Sequence, residues 1–101
     1  MINAKEELIQ TIGEIGVIAA AIDLGDEPQN KKTFRLKQNH SNADWLNFLN
    51  QLDFKYDDGY GGQELFGTVW LSDGTWLERG EYDGSEWWEK RMLPEIPQEL
   101  K

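Results

Sequence analysis

Apolar and polar positions change period along this chain, and each change marks an element. Ala4, Leu8, Ile9 and Ile12 recur at helical spacing behind Asn3, a residue suited to an N-cap, with Glu6 three positions after it. This predicts a helix over 4–12. Gly13 and Gly16 end the pattern. Ile15, Val17, Ile18 and Ile22 then form an apolar segment read as a strand, although Ala19, Ala20 and Ala21 also suit a helix. Residues 25–30 (GDEPQN) are a loop by composition, and 33–37 alternate as a half-buried strand does, so these two strands should form a hairpin. Ser41 with Asp44 predicts a capped helix start, and Trp45, Leu46, Phe48, Leu49 and Leu52 follow as one apolar stripe. Alternation resumes through Phe54 and Tyr56 before a loop at 57–63 that holds three glycines.

The remaining pattern, from Glu64 to Leu93, carries four of the five tryptophans and two Asp-Gly pairs. Short β-rich runs separated by Asp73-Gly74 and Asp83-Gly84 predict a three-stranded meander closed by two type I′ turns, in which both turn residues take positive φ. With Asp73-Gly74 as a two-residue turn, Leu71 faces Trp76, Trp70 faces Leu77, Val69 faces Glu78 and Gly67 faces Gly80. That pairing places Leu65, Val69, Leu71, Trp76 and Tyr82 on one side of the sheet, and Phe66, Trp70, Leu77 and Arg79 on the other. With Asp83-Gly84 as the second such turn, Trp87 falls opposite the bare Gly80, and Trp88 falls opposite Arg79 for a cation–π contact. A slip of one residue would exchange the faces. Pro94 and Pro97 cannot continue a central strand, so the tail should run extended over the surface. The order α-β-β-α-β-β-β-β fits a single α+β domain over 1–101. Two helices pack on a largely antiparallel sheet, continuous or split in two, that ends in the meander.

Composition narrows the chemistry more than it names it. One chain of 101 residues supports one modest core. With no cysteine there is no disulfide, thiolate zinc site or thiol nucleophile, and the cytosol is the default compartment. The apolar run 15–24 is too short to span a bilayer, and the N-terminal residues have no signal-peptide pattern, so no membrane association is expected. A formal charge of −9 argues against direct contact with nucleic acid. Residues 1–52 contribute −2 of that charge and residues 53–101 contribute −7. Such an excess serves solubility, or it forms an acidic surface for a basic partner. His40 stands alone and makes no triad; it reads as a loop residue. The glycine loop lacks the Lys and following helix of a phosphate cradle, and Asp57 and Asp58 lack the further oxygen ligands of a calcium loop, so no cofactor or metal is expected. That loop reads as a tight turn presenting Tyr60.

The run YDDGYGGQELFGTVW at 56–70, continued by DGTWLERGEYDGSEWW at 73–88 and PEIP at 94–97, resembles a group of small, uncharacterised accessory proteins of tailed bacteriophages and prophages. The resemblance covers the C-terminal half and carries no catalytic residues. It implies a setting, an infected bacterium, in which small acidic products bind host defence proteins or host enzymes. The expected function is a non-enzymatic protein-binding module that inhibits a host nucleic-acid-handling or defence complex of the CRISPR or restriction type. Asp57, Asp58, Tyr60, Glu81, Asp83, Glu86 and Trp88 are the expected contacts to a basic host protein. Two other readings stand beside it. One is a self-associating homodimer or virion part. The other is a small enzyme using the cross-strand carboxylates Glu78 and Glu89 as an acid–base pair.

Overall fold

A computed structural model describes residues 1–59 and 61–101. Tyr60, the residue expected at the tip of the glycine loop, lies outside the described residues.

The first helix, α1 (Ala4–Ile12), follows a two-residue strand, β1 (Ile2–Asn3). Asn3 caps it by accepting from the Glu6 N–H at 3.0 Å, so the expected start and end both hold. The alanine-rich segment is a strand, β2 (Val17–Leu24), paired antiparallel with β3 (Lys32–Leu36). In α2 (Asn42–Gln51) the Ser41 hydroxyl accepts from the Asp44 N–H, and the Asp44 carboxylate accepts from the Ser41 N–H, a complete capping box. Phe48 and the C-cap Leu52 are buried and Trp45 is half-buried, but Leu46 faces solvent, so the predicted stripe is narrower by one residue.

After β4 (Lys55–Tyr56), which pairs with β1 in a small two-stranded sheet, the meander runs through β5 (Leu65–Leu71), β6 (Trp76–Tyr82) and β7 (Ser85–Arg91). The main sheet has the order β3-β2-β5-β6-β7, antiparallel throughout. This is the expected α+β architecture. The sheet is split, and β2, next to β5, joins the N-terminal hairpin to the meander. A short 3-10 turn (Gln98–Leu100) closes an otherwise extended tail in which Met92, Leu93, Ile96 and Leu100 are exposed.

The two Asp-Gly pairs diverge. Asp83 (φ 50°) and Gly84 (φ 87°) make the expected two-residue turn, giving Gly80 opposite Trp87 and Arg79 opposite Trp88 as the spacing requires. Asp73-Gly74 does not. Leu71 N–H donates to Thr75 C=O at 2.9 Å, Gly74 N–H donates back to Leu71 C=O, and Gly74 alone has positive φ, so the loop holds three residues. Val69 therefore faces Leu77 and Trp70 faces Trp76. That one-residue shift turns β6 over relative to β5: Leu77 and Arg79 join Leu65, Val69 and Leu71 on the inner face, while Trp76 and Tyr82 join Phe66 and Trp70 on the outer.

The inner face carries one core. Ala4, Leu8 and Ile12 of α1, with Phe48 and Leu52 at α2, meet Ala20, Ile22, Phe34, Leu36, Leu65, Val69, Leu71, Leu77 and Trp88. Gly67 lies opposite Ile22, not Gly80, and its bareness serves this β2–β5 contact. A Cβ there would stand 2.3 Å from the Ala21 carbonyl oxygen and 2.8 Å from Ile22 Cα. The same residue has φ 146°, which only glycine adopts readily.

Candidate functional site

Pairing of β5 with β6 extends from Leu71–Thr75 only to Thr68–Glu78, which leaves the start of β5 without a strand on that side. Side chains replace the missing ladder. The Glu86 carboxylate accepts from the N–H groups of Glu64 (2.7 Å) and Leu65 (3.0 Å) and pairs with the Arg79 guanidinium at 2.7 Å. Arg79 Nε donates to the Leu65 carbonyl, its Nη2 to the Tyr56 hydroxyl, and its Nη1 reaches Glu7 of α1 at 3.4 Å. The guanidinium lies over the rings of Trp88 (4.8 Å) and Tyr56 (5.7 Å). Both charged partners are inside: the Arg79 side chain is 2% exposed and that of Glu86 is 1%. Desolvation acts against the Arg79 charge, but the Glu86 hydrogen bond and the neighbouring Tyr56 and Glu7 outweigh it and hold the cation. Burial, with the short hydrogen bond donated to Glu7, pushes the Tyr56 phenol well above its usual range, so it remains a donor.

This network corrects two expected contacts. Glu86 and Trp88 were read as surface groups, but β6 is turned over and both lie on the face that meets the core, where Arg79 occupies them. They have no surface to offer a partner.

The other acids do come together. Asp58, Gly59 and Gly61 lie against the β6–β7 turn: Glu86 N–H donates to Asp58 C=O at 2.9 Å, and Gly84 lies against the backbone of Gly59 and Gly61. The Asp57 carboxylate closes its own turn by accepting from Gly59 N–H. Asp57 and Asp58 are half-buried, and Glu81 and Asp83 are exposed at this end of the sheet. Among the described residues, no group of three or more His, Asp or Glu side chains is placed to hold a metal ion.

The outer face gathers side chains that the expected register divided between the two sides of the sheet. Ile18, Phe66, Trp70, Trp76, Trp87 and Tyr82 all lie on it, while both helices pack on the inner face. Trp70 is 45% exposed and Tyr82 is 76% exposed, and Trp70 with Ile18, Ala19 and Gln38 lines a shallow apolar recess. Trp76 is anchored by its indole N–H on Glu78 (3.0 Å), and Trp87 lies over Gly80. Glu78 and Glu89 are cross-strand neighbours as expected, but on this open face, where Arg91 bridges them at 3.5 and 2.8 Å. A signal for this arrangement exists in the sequence. Arg79 and Glu86 flank the second turn and fall on one face in its register, as an opposite-charge pair does when it is to be buried together.

His40 is a loop residue, as read: Nδ1 is 2.8 Å from the Lys37 carbonyl and the ring stacks beside Trp45. Among the described residues no helix is long and apolar enough to cross a membrane. Comparison with protein-family models, curated proteins and solved structures finds no match.

Proposed function

We propose that this chain is a non-enzymatic protein-binding module whose contact surface is the outer face of the main sheet together with the acidic end beside it. The observation that supports this reading is the row Phe66, Trp70, Trp76, Trp87 and Tyr82 on a face that no helix covers, which ends at the β6–β7 turn beside exposed Asp83, with exposed Glu81 at the same end of the sheet. Apolar side chains on a face without a covering layer mark interaction sites, and Trp and Tyr are the residues that anchor them. The charge of −9 selects a basic partner and speeds its approach. The resemblance of residues 56–97 to phage and prophage accessory proteins supports a host partner that handles nucleic acid or serves in defence against phage, with inhibition as the outcome.

Capture from bacterial lysate with three immobilised proteins tests this: wild type, Trp70→Ala/Trp76→Ala, and Glu81→Gln/Asp83→Asn. Circular dichroism and thermal melting check that each is folded. The expected result is a discrete set of proteins on the wild type at low salt, lost from the tryptophan variant and reduced on the neutralised one, with the reduction vanishing as salt rises. Equal capture by all three, or none by the wild type, overturns the reading.

A further inference from the structure

The type I′ turn at Asp83-Gly84 fixes which backbone groups of β7 point where. Tyr82 faces Ser85 directly across it, so Ser85, Trp87, Glu89 and Arg91 exchange hydrogen bonds with β6. The N–H and C=O groups of Glu86, Trp88 and Lys90 therefore point away from the sheet. Glu86 confirms the parity, since its N–H is given to Asp58 C=O. Beyond that point, β7 is the terminal strand of the sheet, and among the described residues no strand pairs with its outer edge. An edge with free donors and acceptors is a template for another strand.

We infer that the strand added there is β7 of a second copy, antiparallel, on a two-fold axis through Glu89. Three arguments select this register. Glu89 on the axis sets Trp88 opposite Lys90 of the second copy, and Lys90 opposite its Trp88, so all the outward groups of residues 88 and 90 are hydrogen-bonded. It also sets Trp87 opposite Arg91 of the second copy on the outer face, giving aromatic–cation pairs on both faces. The two Glu89 carboxylates face each other, but each already holds its own Arg91 at 2.8 Å, and that guanidinium lies diagonal to the other Glu89. The two neighbouring registers that keep these groups hydrogen-bonded are worse. An axis through Trp88 needs the Glu86 N–H that Asp58 already occupies, and an axis through Lys90 sets two lysines face to face. Length agrees as well: β7 ends at Arg91, where the Asp58 segment of the facing copy begins. The product is one ten-stranded sheet in which the outer faces of the two copies run on as one.

The absence of cysteine makes the axis directly testable. Glu89→Cys places two thiols on a facing pair whose hydrogen bonds point away from each other, a spacing that suits a disulfide. Under mild oxidation most chains should cross-link, whereas Glu81→Cys, exposed but away from the edge, should cross-link only at the slow rate of collision. Sedimentation equilibrium of the unmodified chain should show a monomer–dimer equilibrium between micromolar and millimolar concentration. Lys90→Pro removes an outward donor in each copy while leaving the β6–β7 ladder whole, so the chain should remain folded by circular dichroism and dimerise about tenfold or more weakly. A single-chain mass at millimolar concentration overturns the proposal. So does equal cross-linking of the two cysteine variants, or a folded Lys90→Pro that dimerises as well as wild type.

Discussion

The two hairpins of the meander share strand β6 and carry the same Asp-Gly dipeptide, yet they turn differently. In the second, both residues have positive φ and the loop is two residues long. In the first, Asp73 keeps negative φ, its carboxylate accepts from both the N–H and the hydroxyl of Thr75, and the loop takes three residues. Two things separate them. Thr75 offers Asp73 a second donor. More weight lies with Arg79, which must be on the inner face to meet Glu7, Tyr56 and the Leu65 carbonyl. Given a two-residue second turn, Glu86 and Trp88 share Arg79's face; only a three-residue first turn puts that face toward the core, with Leu77 beside Val69. The dipeptide permits either turn, and the buried charge selects.

Arg79→Met breaks the feature that separates the hairpins and should have the largest effect. It leaves Glu86 buried without its counter-charge, a change that costs about 3–5 kcal/mol when one member of a buried pair is removed. In a chain of this size much of the native stability would be lost, and chemical denaturation should show it. Glu86→Gln with Arg79→Met should recover part of the loss, which a simple packing defect would not.

Gly80→Val comes next. A Cβ at Gly80 would stand 2.8–2.9 Å from the Trp87 indole, so the ring must move, at about 1–3 kcal/mol. Thr68→Val, on the same face of the first hairpin with no ring above a bare position, should remain within about 0.5 kcal/mol of wild type. Equal effects of the two in thermal melts would show that the Trp87 contact is not what Gly80 is for.

Gly74→Ala and Gly84→Ala compare the turns themselves. Both glycines have φ near 87°, so each substitution should cost about 1–2 kcal/mol for the left-handed backbone. Gly74 has open space around it, while a Cβ at Gly84 would touch Gly59 and Gly61 at 3.5–3.6 Å. Those are ordinary contacts, but the backbone strain at Gly84 lies next to the Glu86–Asp58 hydrogen bond, so the Gly84 variant should also speed exchange of the Glu86 amide that Asp58 accepts from. The Gly74 variant should leave that amide unchanged.

Local signals were legible in the sequence where the side chain that sets the structure is next to the backbone it sets. Asn3, Ser41 with Asp44, and the type I′ turn at Asp83-Gly84 all fall where they were read. The α+β class was legible too, because the change between helical and alternating periods survives the three alanines of β2. What escaped was the face of β6. Trp76 and Leu77 are adjacent and both apolar, so alternation alone fits either register, and the deciding contact joins Arg79 to Glu7, 72 residues away in sequence. From that one miss follow the misplacement of Glu86 and Trp88 and the separation of Trp70 from Trp76, which face each other on the outer side of the sheet. Gly67 was expected opposite Gly80, and the approach of β2 that requires it depends on strand order, which spacing does not encode.

The smallest effect belongs to the first turn and appears only in acid. Hydrogen bonds from the Thr75 hydroxyl and N–H, with a smaller contribution from Lys90 at 3.2 Å, lower the Asp73 carboxyl to about 2. Its ordinary value is about 3.9. A depressed carboxylate stabilises the fold above its unfolded value and ceases to do so as pH falls through the folded one. The Asp73 contribution should therefore be whole above about pH 4 and lost as pH falls through about 2. Because Asp73 is exposed, the readout is local: the Thr75 amide resonance and the Asp73 side-chain carbon should titrate together by nuclear magnetic resonance in that window. Asp73→Asn should abolish the Thr75 titration while leaving the Glu86 amide of the second turn where it was. If Thr75 still moves in the variant, another group sets the first turn, and Arg79 alone selects between the turns of the two identical dipeptides.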